Sequence, residues 1–170
     1  KGYTYDSSVY ILTIKVTMDS DGKQQAVGTL TKDGASANAL VFTNAYHVEP
    51  KETDPPVEKQ ISGDTPNKAD TFVFTMTAAD VRYPMPAGSV NGVKRATVSG
   101  AGQVEFGKYS YTAPGTYVYT IKEEAGSNTA YSYDTAVYTI TDVVTDQGGK
   151  LTLARTVTNA SGAAVSKALF

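Results

Sequence analysis

Residues 3–17 read YTYDSSVYILTIKVT, and residues 131–145 read YSYDTAVYTITDVVT. At an offset of 128, eight of fifteen positions are identical: Tyr3/Tyr131, Tyr5/Tyr133, Asp6/Asp134, Val9/Val137, Tyr10/Tyr138, Thr13/Thr141, Val16/Val144 and Thr17/Thr145. Each stretch runs into a glycine-containing turn and a lysine, DSDGK at 19–23 and DQGGK at 146–150, with one residue of difference in spacing. Phe42 falls on Phe170 at the same offset. The chain therefore samples a repeat of about 128 residues. It enters late in one copy and stops near the end of the next, so the counterpart of Asn44 falls at position 172.

The two stretches alternate apolar and polar residues and are rich in Thr, Val and Tyr, the pattern of a half-buried strand. In the first, the alternation changes phase near Leu12, which predicts a β-bulge. Further strands are predicted at 26–32, 39–46, 57–61, 71–77, 94–98, 103–106, 108–111, 116–123, 137–145, 150–158 and 165–170. Residues 77–92, TAADVRYPMPAGSVNG, read as a turn-rich connection that opens on one helical turn. HVEPKETDPPVE holds three prolines and five charged residues and reads as a linker. No segment sustains a helical period. The expected organisation is residues 1–46 as the end of a first β-sandwich, 47–56 as a Pro-rich linker, and 57–170 as a second sandwich. Tandem sandwiches on a short linker describe a stalk more readily than an enzyme.

Composition removes several function classes. The chain has 170 residues and a net charge of -2, which excludes a strongly basic nucleic-acid binder. No apolar run is long enough to insert in a membrane. Cysteine is absent, so disulfides, thiolate metal sites and thiol nucleophiles are excluded. His47 is the single histidine and sits at the start of the linker, where solvation is the default. Asp19, Asp21 and Gly22 lack the downstream ligands of a calcium loop and read as a hairpin turn. No cofactor and no metal are expected.

Five segments carry a resemblance: PVEKQISGD (56–64), the stretch 71–94 from TFVFTMTAAD to GVK, PGTYVYTIKEEAG (114–126), AYSYDTAVYTI (130–140) and, in the earlier copy, VFTNAY (41–46). Together they resemble the streptococcal-type pilin isopeptide-linkage domain of Gram-positive shaft pilins and surface proteins. The resemblance covers 57–170 nearly throughout and 1–46 as the tail of a preceding copy. It implies an all-β, inverse immunoglobulin-like sandwich related to collagen-adhesin B-type domains. It implies an amide formed between a lysine on the first strand and an asparagine on the last, assisted by a glutamate. Lys59 matches the lysine, Glu123 the glutamate and Asn44 the asparagine, the last in the earlier copy.

The chemistry asks for a dry site. An amine attacks only when neutral, and burial disfavours its charged form. A buried carboxylic acid polarises the asparagine carbonyl and shuttles protons while ammonia leaves. Taken alone, Lys59 reads as an ordinary exposed strand lysine, and Asn44 as a turn or edge residue. Neighbours on a strand face opposite ways, so one of Glu123 and Glu124 points inward, and Glu123 is expected to be that one. The partners of Asn44 and Lys59 are expected outside this chain; in an alternative arrangement 39–46 returns beside 57–61 and the two residues meet. The implied function is a structural module of a cell-surface pilus shaft or adhesin stalk, with neighbouring repeats or pilin subunits as partners, secreted to the cell wall. The alternative is a module that binds a glycan or host protein through the 78–92 connection.

Overall fold

A computed structural model of the chain describes residues 2–65 and 69–170, and is built from strands without a helix among them. It divides into two compact units, Lys1–His47 and Val48–Phe170.

The first unit holds β1 (Tyr3–Thr4), β2 (Tyr10–Met18), β3 (Gln24–Lys32), β4 (Ala35–Ala37) and β5 (Ala45–Tyr46). β2, β3 and β4 form an antiparallel sheet in that order, and β1 pairs with β5. The β2–β3 register runs unbroken from Tyr10↔Lys32 to Met18↔Gln24, so the expected bulge at Leu12 is absent. Ile11 lies on the face of Thr13 and Lys15, and Leu12 on that of Ile14 and Val16; two adjacent apolar residues on opposite faces need no extra residue. Asp33 and Gly34 turn β3 into β4 with φ of 48° and 87°, both left-handed as a two-residue type I′ hairpin requires. The strand expected over 39–46 shrinks to β5. Among the described residues, none pairs in a ladder with 39–44; the Tyr10 hydroxyl bonds the Val41 carbonyl at 2.6 Å instead.

The second unit holds β6 (Lys51–Thr53), β7 (Val57–Lys59), β8 (Thr71–Ala78), β9 (Val93–Ser99), β10 (Gly102–Gln103), β11 (Tyr109–Tyr111), β12 (Gly115–Glu124), β13 (Val137–Asp146), β14 (Leu151–Thr158), β15 (Ala164–Val165) and β16 (Ala168–Leu169). A six-stranded antiparallel sheet runs β15-β14-β13-β12-β8-β9. The short sheets β10-β7-β16 and β11-β6 supply the other layer of the sandwich. The core between them includes Val57, Phe74, Met76, Phe106, Tyr111, Tyr119, Ile121 and Ile140. β16 lies parallel to β7, with Ala168 opposite Val57, as expected of first and last strands.

Residues 47–56 are not a free linker. β6 pairs antiparallel with β11, and Glu49 bridges Lys150, so the second unit begins at Val48 rather than Val57. Prolines at 50, 55 and 56 remove three donors but leave Lys51–Thr53 free to pair. Arg155 then fastens the segment: its guanidinium donates to the Asp54 carbonyl at 2.6 Å and to the Thr53 hydroxyl at 2.8 Å. The helical turn expected after Thr77 is instead a tight turn closed by Tyr83 N–H to Asp80 O at 3.0 Å. Of the strand expected over 165–170, Val165 pairs in β15 and Ala168–Leu169 in β16; of that expected over 103–106, Gln103 alone pairs, in β10.

Candidate functional site

β7 turns Val57 and Lys59 inward and Glu58 outward, and β12 buries Tyr119, Ile121 and Glu123 in alternation. The strand period therefore places Lys59 and Glu123 in one core, 5% and 6% exposed. Glu124 faces the other way and pairs with Arg95 at 2.9 Å. The Lys59 ammonium donates to Glu123 Oε2 at 3.0 Å and stands 2.9 Å from Oε1. Among the described residues, none donates a directed hydrogen bond to the buried Oε1. The ammonium also lies 4.7 Å from the centroid of the Phe72 ring, within cation–π range.

One more donor reaches the carboxylate. The backbone N–H of Asp134 meets Glu123 Oε2 at 2.9 Å. That peptide is oriented by an Asx turn, in which Asp134 Oδ1 accepts the N–H of Ala136 at 2.7 Å. A cavity of about 610 Å³ opens beside the pair, lined among others by Lys59, Phe72, Tyr131, Asp134 and Phe170. Tyr131 and Tyr133 pack on Phe72 at 5.2 and 6.0 Å, forming an aromatic wall.

Asn44 belongs to the first unit and is exposed there. Its Oδ1 accepts the backbone N–H of Asp6 at 3.0 Å. Asp6 Oδ2 accepts the N–H of Thr43 at 2.8 Å, and its Oδ1 accepts the N–H and hydroxyl of Ser8. These bonds, the Ser8 hydroxyl first, lower its carboxyl to about 2. In the second unit, β10 and β16 lie along the two edges of β7.

The same contacts recur within each unit at the sequence offset. Tyr10 donates to Val41 O and Tyr138 to Leu169 O, each at 2.6 Å. Tyr10 meets Phe42 edge-on, and Tyr138 meets Phe170 likewise, each with centroids 5.0 Å apart. The Asx turn of Asp6 matches that of Asp134. The family model of FctA, the Spy0128-like isopeptide-containing domain, matches residues 1–47 and 55–168. The chain belongs to the FctA family. A search of curated proteins finds no match.

In this FctA chain the sequence reading missed a second buried ion pair. Asp142, 0% exposed, accepts from Arg155 Nε at 2.7 Å, from its terminal nitrogen at 2.6 Å and from the Tyr111 hydroxyl at 2.6 Å. Burial, then the hydrogen bond to Asp142, holds the Tyr111 phenol far above its ordinary range. The signal was a charge at an inward position of β13, where alternation demands an apolar side chain. Phe72, Asp6 and Asp134 were also missed as site residues; the identity of the two aspartates across the repeat was their signal. In the 78–92 connection, Tyr83 packs on Tyr117 and Tyr119, so its ring serves the fold. Asp19 accepts the N–H groups of Asp21 and Lys23 and caps the β2–β3 turn.

Proposed function

We propose that this FctA chain is a structural module of a Gram-positive cell-surface pilus shaft or stalk, in which Lys59 forms an amide with an asparagine side chain and Glu123 assists. The observation that carries this reading is the buried Lys59–Glu123 pair beside a cavity that Phe170 lines. A dry ion pair is costly, and moving one proton between two atoms 3.0 Å apart replaces it with a neutral amine and a neutral acid. The amine attacks the carboxamide carbon, the Cγ–Nδ2 bond breaks, and ammonia leaves. One of the protons held by the ammonium and carboxamide stays on the new amide, three leave in ammonia, and one remains on Glu123. Contact within one fold supplies the high effective molarity the reaction needs.

The register of the asparagine follows from the first unit. Asn44 stands two residues after Phe42, the counterpart of Phe170. The bond closes a loop of more than a hundred residues, which stabilises by about 4–5 kcal/mol on the loop-entropy scale used for disulfides. Neighbouring repeats or pilin subunits are the partners, and the cell surface is the location. The test appends Thr-Asn-Ala-Tyr, the sequence of residues 43–46, after Phe170. Intact mass is expected to fall by one ammonia in the extended chain and to stay unchanged with Lys59→Ala. Retention of the full mass by the extended, folded chain overturns the reading.

A further inference from the structure

The two units show one peptide group in two bonding states. In the second unit the N–H of Asp134 is spent on Glu123 Oε2 at 2.9 Å. In the first, the N–H of its counterpart Asp6 is spent on Asn44 Oδ1 at 3.0 Å. The peptides are equivalent by sequence offset, by the Asx turn that orients each, and by the matching tyrosine bonds, Tyr10 to Val41 and Tyr138 to Leu169. Asn44 Oδ1 is the atom type on which negative charge develops when an amine attacks the carboxamide.

We propose that the peptide N–H of Asp134 is the oxyanion donor of the amide-forming reaction, and that its passage from Glu123 to the asparagine oxygen sets the reaction off. The proposal rests on the Lys59–asparagine reading above. An N–H aimed at a developing oxyanion stabilises the tetrahedral intermediate without reorganisation. The same move has a second effect. A carboxylate bonded by an N–H is held in its charged form, and losing that bond makes it a better proton acceptor. Glu123 would then take the proton of Lys59, 3.0 Å away, when the asparagine is in place. The amine becomes a nucleophile as its target arrives. Nζ bonds to Cγ, and the electron pair of the carbonyl moves to Oδ1, where Asp134 N–H meets it. Glu123 passes its proton to Nδ2 and receives one from Nζ; the pair returns to the carbonyl as ammonia departs.

The Asp134 side chain is a positioning group. Its Oδ1 fixes the turn through Ala136 N–H, and the matching Asp6 Oδ2 also holds the N–H of Thr43, the residue before the asparagine. One carboxylate thus aligns both the donor and the strand end that receives it.

The test uses the chain extended by Thr-Asn-Ala-Tyr, purified unfolded and refolded by dilution, with ammonia loss followed by intact mass. Asp134→Ala is expected to slow the loss by roughly 10²-fold, the scale of one misplaced oxyanion donor. Asp134→Asn keeps the Oδ1 acceptor and is expected to restore most of the rate. Equal rates for parent and Asp134→Ala overturn the proposal. A second measurement does not depend on the variants folding. In isotope-labelled parent chain, the coupling through the hydrogen bond should join the Asp134 nitrogen to Glu123 Cδ before extension, and to Cγ of the appended asparagine after reaction. A coupling that stays on Glu123 in the reacted chain overturns the proposal while leaving the Lys59 reading intact. A parent chain that folds and keeps its ammonia overturns both.

Discussion

The Lys59 ammonium stands 4.7 Å from the centre of the Phe72 ring, in the core of the second unit. A desolvated cation over an aromatic face gains up to about 2 kcal/mol. Phe72→Leu keeps apolar bulk and removes that face. Its coupling to Lys59→Met, from urea unfolding of the four chains in a double-mutant cycle, is expected at about 0.5–2 kcal/mol. Additive effects of the two substitutions would contradict the contact.

Breaking the buried pair is expected to cost more than replacing it. Glu123→Ala leaves the Lys59 ammonium buried without a counter-charge, a loss of about 3–5 kcal/mol. Lys59→Met combined with Glu123→Leu removes both charges, and should recover most of that loss. Chemical denaturation of the 170-residue chain decides it; a double variant no more stable than Glu123→Ala speaks against an uncompensated charge.

Arg155 links Asp142 to the segment ahead of β7. Arg155→Ala therefore has two expected effects. Stability falls by about 3–5 kcal/mol because Asp142 remains buried, and amide exchange at Lys51–Thr53 accelerates relative to β12. Across the hairpins, Asp142 pairs with Arg155 where the first unit pairs Ile14 with Gly28. Asp142→Ile with Arg155→Gly should keep the β13–β14 ladder while still releasing 51–54.

Gly126 has no room for a methyl group. A Cβ there would run into the Tyr133 hydroxyl and the ring carbon that bears it. Gly126→Ala is expected to push Tyr133 off Phe72 and to cost about 1–3 kcal/mol, the scale of overpacking. Ring resonances of Tyr133 and Phe72 report the displacement directly; unchanged shifts would show that the ring yields without leaving its seat.

Asp6 should titrate at about 2, below the ordinary carboxylate value of 3.8, because the Ser8 hydroxyl and the Thr43 and Ser8 N–H groups bond its anion. A lowered folded-state value means the stabilisation is present above pH ~4 and is lost as pH falls through about 2. The Asp6–Thr43 and Asp6–Ser8 bonds are therefore expected to persist at neutral pH and to open only in strong acid, read from the Thr43 amide shift. A midpoint near 4 would deny those bonds to the anion.

Where the ladder partner lies nearby, alternation was a good guide: β2, β3, β8, β12, β13 and β14 all fall where the pattern puts them. Lys59 and Glu123 are inward by the strand period, although resemblance was needed to single them out. The failures have physical causes. Residues 51–53 looked like linker because local composition cannot register a partner strand at 109–111, or an arginine more than a hundred residues away. Residues 39–44 have strand character, but a strand needs a neighbour, and this unit gives them side-chain hydroxyl and carboxylate bonds instead. The same absence exposes Leu12 to 60%, while its counterpart Ile140 is 0% exposed between β12 and β14. Asp142 escaped notice because a charge normally marks the wet face.

The parallel course of β16 beside β7 decides how the fold fails under tension. Antiparallel neighbours pulled from adjacent ends open like a zip, one hydrogen bond at a time. Parallel neighbours pulled from opposite ends slide in shear, and their bonds share the force. Here the bonds are Ala168 N–H to Pro56 O, Phe170 N–H to Glu58 O and Gln60 N–H to Phe170 O, at 3.1, 3.0 and 2.6 Å. They must yield together before Val57–Lys59 and Ala168–Leu169 can part. Even without a covalent tie, the seam between β7 and β16 is a brittle joint, and stretching it a little gains nothing.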